Sequence, residues 1–376
     1  MATSQPSPKG LADIVAASTA ISDIDGRVGL LSYRGYDIHD LAGSVTFEEC
    51  VHLLQRGELP TEAKLAAFRA ELADGRALGR TVEALLETPL VSTPPMEALR
   101  TLLSGLSADD PDARDNSPEA NRRKAARLTA QTPALVARYH AARTGSAPPE
   151  PDDSLGIAGN FLLQLTGKRP EQVAVEAFDE CLVLHADHTM NASTFAARVC
   201  AATLSDMHSA VTAALATLKG PLHGGANEQV MKVLQSLPGL DAVDGSVRQR
   251  LDAGEKLMGF GHRVYRTEDP RATHLRAMSK RLGELAGDTR YYDLSARMEQ
   301  TVLDVKGLRP NVDFYAASVY HALGIPTDLF TPVFAISRMS GWTAHVIEQH
   351  ADNRLIRPDS EYIGERDRKV VPLTSR

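Results

Sequence analysis

The sequence predicts a mainly α-helical protein with one small β-hairpin near its start. Apolar residues recur at helical spacing along most of the chain, capping residues and prolines mark helix starts, and a strand-turn-strand pattern stands out once. With 376 residues, the chain is long enough for a large core and two domains. Apolar residues make up 43% and charged residues 24%, which is ordinary for a folded protein and argues against disorder.

Charge and cysteine content narrow the class of protein. A net charge of −7 argues against a nucleic-acid or membrane-surface binder, because either needs a basic face, and the basic run 122–127 is interpreted as a solvated helix face. The sequence has no apolar run of about 18 residues, and its polar start (1–10) lacks the apolar region of a signal peptide. Cys50, Cys181 and Cys200 have no CxxC spacing, so we expect reduced core thiols in a cytoplasmic protein.

Turn and cap residues predict where the hairpin and the helices begin and end. An Asp-Gly turn at 25–26 predicts the hairpin, a capping-box pattern at Thr46 and Glu49 starts a helix that ends at Gly57, and Pro95 starts another helix. Further helices are predicted at about 122–143, 155–166, 171–186, 192–203 and 207–218. Segments 107–119 and 145–154 are rich in Pro, Asp and Ser and are predicted loops. The last two helices are rich in alanine, which suits close packing in a core or between subunits.

The stretch LHADHTMNAST carries His185 and His188 at i, i+3 spacing, which would place both on one helix face near Asp187. A metal site is one interpretation, but no further histidine or cysteine lies at a recognised ligand spacing. A core histidine, or one that binds an anion, fits the pattern better.

The stretch KGPLHGGANE places His223 before two glycines, which end regular structure and let a ligand approach the backbone. The helix that restarts after them has free N–H groups near His223, which favour negative charge. The alternative is a histidine that is simply exposed in a turn.

The stretch GFGHRVYRTEDPR interrupts the helical pattern with glycines and His262, and it ends on Arg271 in the first turn of a helix. It matches neither a dinucleotide fingerprint nor a phosphate loop. A histidine beside several cations suggests a site for an anion that must receive a proton. The preceding Lys256 and the apolar pair 257–258 could hold a phosphorylated, partly apolar ligand.

Asp313, in RPNVDFYAASVY, comes in the first turn of an apolar helix. Such an Asp is usually a cap. A carboxylate flanked by apolar and aromatic residues could instead be partly desolvated, which would strengthen it as a base.

In this order, GPLHGGANE, GFGHRVYRTEDPR and NVDFY resemble the citrate synthase family. The likeness extends to YRGYDIHDLA, HADHTMNASTF and SRMSGWTAHVIEQHADNRLIRP, and so covers nearly the whole chain. The resemblance implies condensation of acetyl-CoA with oxaloacetate, followed by hydrolysis of citryl-CoA to citrate and CoA, without a metal or redox cofactor. It also implies a homodimer in which a small domain (217–322) closes over substrates held on a large domain (1–216 and 323–376).

The resemblance also implies a role for each matching residue. Asp313 matches the base, His223 the donor to the thioester carbonyl, and His262 the group that polarises the ketone and protonates the alkoxide. The residues that match the oxaloacetate site are His188, Asn191, Arg271, Arg338 and Arg357, of which Arg357 is expected from the partner subunit. The residues that match the CoA-binding loop are Lys256, Leu257, Met258, Gly259 and Phe260.

Two other functions remain open at the level of sequence. A 2-methylcitrate synthase would use propionyl-CoA with the same catalytic residues, since one methylene in an apolar pocket is worth only about 1–3 kcal/mol. The other is a catalytically silent helical dimer that only binds acyl-CoA or a protein. Loss of either histidine, of Asp313 or of the arginines would favour the silent dimer, and all of them are present.

Overall fold

The computed structural model describes residues 9–11 and 14–376, so the prediction that the first ten residues are not a signal peptide falls largely outside it. The strands are β1 (Ser22–Asp25), β2 (Leu30–Tyr33) and β3 (Tyr36–Asp37). The helices are α1 (Ile38–Leu41), α2 (Phe47–Arg56), α3 (Glu62–Gly75), α4 (Arg80–Leu86), α5 (Pro95–Gly105), α6 (Pro118–Thr144), α7 (Ile157–Thr166), α8 (Gln172–His185), α9 (Ala192–Ala202), α10 (Met207–Leu218), α11 (Ala226–Ser236), α12 (Val243–Asp252), α13 (Pro270–Ala286), α14 (Arg290–Lys306), α15 (Val312–Ala322) and α16 (Phe330–Ala351).

The predicted hairpin is confirmed. β1 and β2 pair antiparallel with Asp25 opposite Leu30, so the turn spans residues 26–29, and β3 adds a third antiparallel strand to β2. Gly29 has a φ of 75°, a left-handed conformation that glycine adopts without a steric cost.

Capping residues set the helix starts as predicted. Thr46 and Glu49 form a capping box at the start of α2, which ends at Gly57 in the left-handed conformation. Helix α6 begins earlier than expected, inside the predicted loop 107–119, because Ser117 caps it and Pro118 occupies its first position.

The interpretation of the basic run 122–127 as a solvated helix face is wrong for Lys124. Its side chain is fully buried, and its Nζ donates to Asp115 O at 2.5 Å. The loop before α6 folds over this side of the helix, and Arg127 pairs there with Asp110 and Asp112. The loop therefore covers part of the face that the sequence alone assigns to solvent.

Helix α16 lies at the centre of the larger group of helices. Every residue from Phe330 to Val346 is buried, and the helix packs against α2, α6, α8, α9 and α10. The alanine-rich helices α9 and α10 pack closely on each other, as small side chains allow. Helices α11 to α15 form a second group that packs mainly on itself. Among the described residues, no helix combines the length and apolar character that a bilayer span requires.

Candidate active site

The loop that carries His262 is held against the start of α15. Gly261 N donates to Arg309 O at 2.9 Å. Asn311 N donates to Gly259 O, and Asn311 Nδ2 donates to Gly261 O, both at 2.9 Å. Gly259 has a φ of 83°, which favours glycine at this position. These contacts bring the histidine loop beside the first turn of α15.

The ring of His262 is oriented by its own loop. Val264 N and Tyr265 N donate hydrogen bonds of 3.0 and 3.1 Å to His262 Nδ1. Because Nδ1 accepts, the neutral ring carries its proton on Nε2. Burial, together with the charge of Arg271, lowers the pKa of His262 to about 4. At neutral pH this ring can therefore donate a hydrogen bond without being charged.

His188 lies beside His262 and Tyr265. The ring centroids are 5.2 and 5.7 Å away, and His188 Nε2 is 3.3 Å from Tyr265 OH. Burial, followed by the charge of Arg271, lowers the pKa of His188 well below 6.5. Because α8 ends at His185, the prediction that both histidines share a helix face is wrong, and His188 lies in the turn before α9. His185 is a fully buried core histidine.

A metal site is not evident at these histidines. Among the described residues, no group of three or more histidine, cysteine, aspartate or glutamate side chains is arranged to hold a metal ion.

His223 lies in the turn between α10 and α11 and reaches the start of α9. Its Nε2 is 2.9 Å from Ser193 Oγ, which also lies 2.7 Å from Asn191 Oδ1 and accepts a 3.1 Å hydrogen bond from Trp342 Nε1. Burial and the charge of Arg338 lower the pKa of His223 to about 4. The alternative of a simply exposed histidine is wrong, because the ring is partly buried and hydrogen-bonded.

Arg271 and Asp269 form a buried ion pair at the start of α13. Asp269 caps the helix, and its carboxylate accepts from Arg271 Nε at 2.9 Å and from Arg271 Nη2 at 2.8 Å. Asp269 Oδ2 also accepts from Val312 N at 3.1 Å, which ties α13 to α15. Burial opposes charge on both groups, but their mutual attraction outweighs it, lowering the pKa of Asp269 and raising that of Arg271.

Arg338 lies in the middle of α16 and is buried. Its Nε donates to His185 O at 2.8 Å, and its guanidinium lies 4.7 Å from the centre of the Phe334 ring. Burial lowers the pKa of Arg338 to about 10, so it is charged at neutral pH. Its two terminal nitrogens have no hydrogen-bond partner among the described residues. They remain available for an anionic ligand.

Asp313 is not the cap of α15, which corrects the first interpretation of this residue. Asn311 is the cap, and its Oδ1 accepts from Asp313 N at 3.0 Å. Burial raises the pKa of Asp313 to about 7, although the charges of Arg271 and Arg338 oppose the rise. A carboxylate with this pKa is a stronger base than an exposed one.

A cleft of about 670 Å³ lies beside the turn that holds His223. Met258 of the predicted CoA loop lines it, together with Lys219, Arg143 and Gly225. In the rest of this loop, Lys256 is exposed, Leu257 is partly buried, and Gly259 and Phe260 are buried. The loop therefore has apolar side chains on its buried side and one exposed cation, Lys256.

Arg357 is not brought into this cluster. It follows α16 on an extended tail, its side chain is 75% exposed, and it pairs with the exposed Asp359 at 3.0 Å.

Three residues of the site were missed from the sequence: Ser193, Trp342 and Asp269. Asp269 could have been found, because an Asp immediately before a proline at a helix start is a strong cap signal.

Together, the helical fold and the site define a protein in which a buried carboxyl group of raised pKa lies close enough to two buried arginines for their charges to oppose the rise. Burial and the charge of one or both arginines lower the pKa of three neighbouring histidines. The family profile described as "Citrate synthase, C-terminal domain" matches residues 10–359. The chain therefore belongs to the citrate synthase family.

Individual relatives agree with this assignment over almost their full length. Citrate synthase 2 of Bacillus subtilis is 50% identical over 98% of this chain and 99% of its own. A 2-methylcitrate synthase of Shewanella oneidensis is 42% identical over 98% and 97%. The crystal structure of citrate synthase from Pyrobaculum aerophilum has a TM-score of 0.91 and 39% identity, covering 98% of this chain and 95% of that one. A ternary complex of the Thermoplasma acidophilum citrate synthase with carboxymethyl coenzyme A and oxaloacetate has a TM-score of 0.91 and 32% identity, covering 98% and 99%.

Proposed function

We propose that this chain condenses acetyl-CoA with oxaloacetate and hydrolyses the resulting citryl-CoA to citrate and CoA. The observation that carries the proposal is the raised pKa of Asp313, about 7, which burial causes and the charges of the buried Arg271 and Arg338 oppose. A thioester methyl is a very weak carbon acid, so its deprotonation needs a base together with a donor for the enolate oxygen.

In the proposed reaction, Asp313 takes a proton from the methyl group of acetyl-CoA while His223 donates a hydrogen bond to the thioester oxygen. The nucleophilic carbon then attacks the ketone of oxaloacetate, and His262 gives its Nε2 proton to the alkoxide that forms. The proton that Asp313 took from the methyl group is then returned to His262, so both groups regain their starting forms. Water cleaves the thioester and releases CoA. Each transfer is between groups that this chain supplies and the substrates, so no metal or redox cofactor is required.

The oxaloacetate carboxylates are proposed to bind Arg271 and Arg338, with His188 and Asn191 beside them. Planar guanidinium groups suit this task because each can make two parallel hydrogen bonds to a carboxylate. The terminal nitrogens of Arg338 support this role, since they have no partner among the described residues. Coenzyme A is proposed to bind along 256–260, at the cleft that Met258 lines.

The chain is proposed to act as a homodimer in the cytoplasm, with the small domain at 217–322 closing on the large one. Exposed apolar side chains on the tail after α16 support a partner, since Ile363 is 91% and Val370 89% exposed. Arg357 on the same tail would then complete the partner's site. The three free thiols support the cytoplasmic location.

The second candidate is a 2-methylcitrate synthase, which the Shewanella oneidensis relative favours. Steady-state turnover of acetyl-CoA and propionyl-CoA with oxaloacetate separates the two, with products identified by mass spectrometry. We expect a higher kcat/KM for acetyl-CoA. A higher kcat/KM for propionyl-CoA would assign the second function and leave the roles of Asp313 and the histidines unchanged.

A further inference from the structure

We propose that the β1–β2 turn is a positioning element for His262, and that Gly26 is the residue through which it acts. The inference deepens the proposed function, on which its kinetic readout rests.

The turn and the histidine loop are in direct contact. Arg266 N donates a 2.7 Å hydrogen bond to Gly26 O. A Cβ added to Gly26 would overlap Val264 O and lie 2.6 Å from the Val264 carbonyl carbon. Because the obstructing atoms are backbone, no side chain can rotate away to make room. Only glycine fits at residue 26 with the loop in this position.

A second glycine of the turn repeats the arrangement. A Cβ on Gly29 would lie 2.7 Å from Thr267 Oγ1 and 3.1 Å from Glu268 O. Two points of the turn therefore meet two successive parts of the loop, 264–266 and 267–268. The close fit extends along the loop and is not confined to one atom pair.

The part of the histidine loop that contacts the β1–β2 turn also orients the His262 ring. Val264, whose carbonyl faces Gly26, donates its N–H to His262 Nδ1, and so does Tyr265. These two donors make Nδ1 an acceptor and leave the proton on Nε2. Displacing the Val264 peptide would disturb both hydrogen bonds, so the turn controls which nitrogen of His262 presents the proton.

The contact also crosses the proposed domain boundary, because Gly26 belongs to 1–216 and the loop to 217–322. The His262 ring is then held in its proton-donating form only when the two domains lie together as in this structure. Domain closure would then be linked, through the β1–β2 turn, to the nitrogen of His262 that carries the proton.

Gly26→Ala tests the proposal, with Gly245→Ala as the matched control. Gly245 lies in α12, and a Cβ there meets nothing within 4 Å. We expect Gly26→Ala to keep its Tm and its KM for acetyl-CoA but to lose about 10²-fold in kcat, the scale of a small misplacement of a reacting group. Gly245→Ala should keep full kcat.

Nitrogen-15 NMR of labelled histidines gives a readout that needs no turnover. The His262 signals, assigned by their loss in His262→Ala, should show the Nε2–H tautomer in the wild type and a changed tautomer ratio in Gly26→Ala. An unchanged ratio and kcat in folded Gly26→Ala would overturn the proposal. If Gly26→Ala does not fold, Arg266→Pro, which removes the donor to Gly26 O, takes its place under the same criteria. If the wild type makes no citrate but its His262 tautomer ratio still differs from that of Gly26→Ala, only the proposed function is refuted and the positioning role of the turn stands.

Discussion

Ser193 Oγ lies 2.9 Å from His223 Nε2 and within hydrogen-bond distance of Asn191 Oδ1 and Trp342 Nε1. The hydroxyl has one proton, which it can give either to Asn191 or to His223. When it turns to His223, the ring carries its proton on Nδ1, which no side-chain hydrogen bond among the described residues occupies and which can therefore face a thioester oxygen. Ser193 thus connects the cap of α9 to the ring that is proposed to stabilise the enolate.

Replacing Ser193 with alanine should lower kcat about tenfold or more, because a lost hydrogen bond that leaves a buried partner unpaired costs about 1–3 kcal/mol. Steady-state kinetics with acetyl-CoA measure the effect. Ser295→Ala is the control, since Ser295 is also buried and bonds a backbone carbonyl in α14. Equal kcat values for the two variants would show that Ser193 has only a structural role.

Asp269→Ala should destabilise the protein at pH 7 by about 3–5 kcal/mol, because it leaves the buried guanidinium of Arg271 without its carboxylate. Arg271 lowers the pKa of Asp269 below its unfolded value of 3.8, so the contribution is complete above that pH. It is lost as the pH falls through the lower, folded pKa. Denaturant unfolding of both proteins at pH 7 and near pH 3 should show the difference shrinking in acid. A difference that is the same at both pH values would contradict this assignment.

Much of the fold follows from local signals, whereas the site depends on contacts between distant segments. Thr46 marks a helix start with a side chain that bonds the nearest backbone, and Pro95 occupies the first turn of another helix, both of which the sequence shows directly. The apolar pattern of helix α3 is harder to interpret from the sequence. Its alanines place apolar residues all around the helix, whereas only Phe68 and Leu72 are buried.

Tertiary contacts decide the remaining features. Lys124 lies in a basic run, yet a loop covers it. Ser193 is 30 positions from His223, and no local sequence pattern predicts that the two side chains are in contact. The catalytic motifs were found because they resemble a family, and the groups that orient them were found only in the structure.

Oxaloacetate should bind before acetyl-CoA, because its carboxylates can draw the arginines and His262 together and so complete the second site. Calorimetry with a stable acetyl-CoA analogue should show tighter binding in the presence of oxaloacetate. Equal affinity with and without oxaloacetate would argue against ordered closure.

The active site should be shared between subunits through Arg357. Arg357→Ala and His262→Ala homodimers should both be nearly inactive, whereas Arg366→Ala, on the same exposed tail, should remain active. A purified heterodimer with one Arg357→Ala and one His262→Ala subunit should regain about half the wild-type activity, since one of its two sites carries neither change. A heterodimer as inactive as both parents would place Arg357 in its own subunit's site.

Asp313→Asn should make the folded protein more stable at pH 8. Burial raises the pKa of Asp313 from 3.8 to about 7, so its ionisation costs folding free energy. That cost is absent below pH 3.8, grows between the two values, and is complete above about pH 7. Thermal unfolding should therefore show a Tm gain at pH 8 that disappears towards pH 4, and a lower Tm at pH 8 would contradict the burial of this charge.

The most direct test of the proposed chemistry is CoA release from acetyl-CoA and oxaloacetate at pH 8 by the wild type and by Asp313→Asn. The amide cannot accept the methyl proton, so kcat should fall by at least about 10²–10⁴-fold, while wild-type kcat/KM should rise with pH through about 7. Asp293→Asn, in the first turn of α14, should retain activity. Turnover by Asp313→Asn close to that of the wild type would show that another group removes the proton.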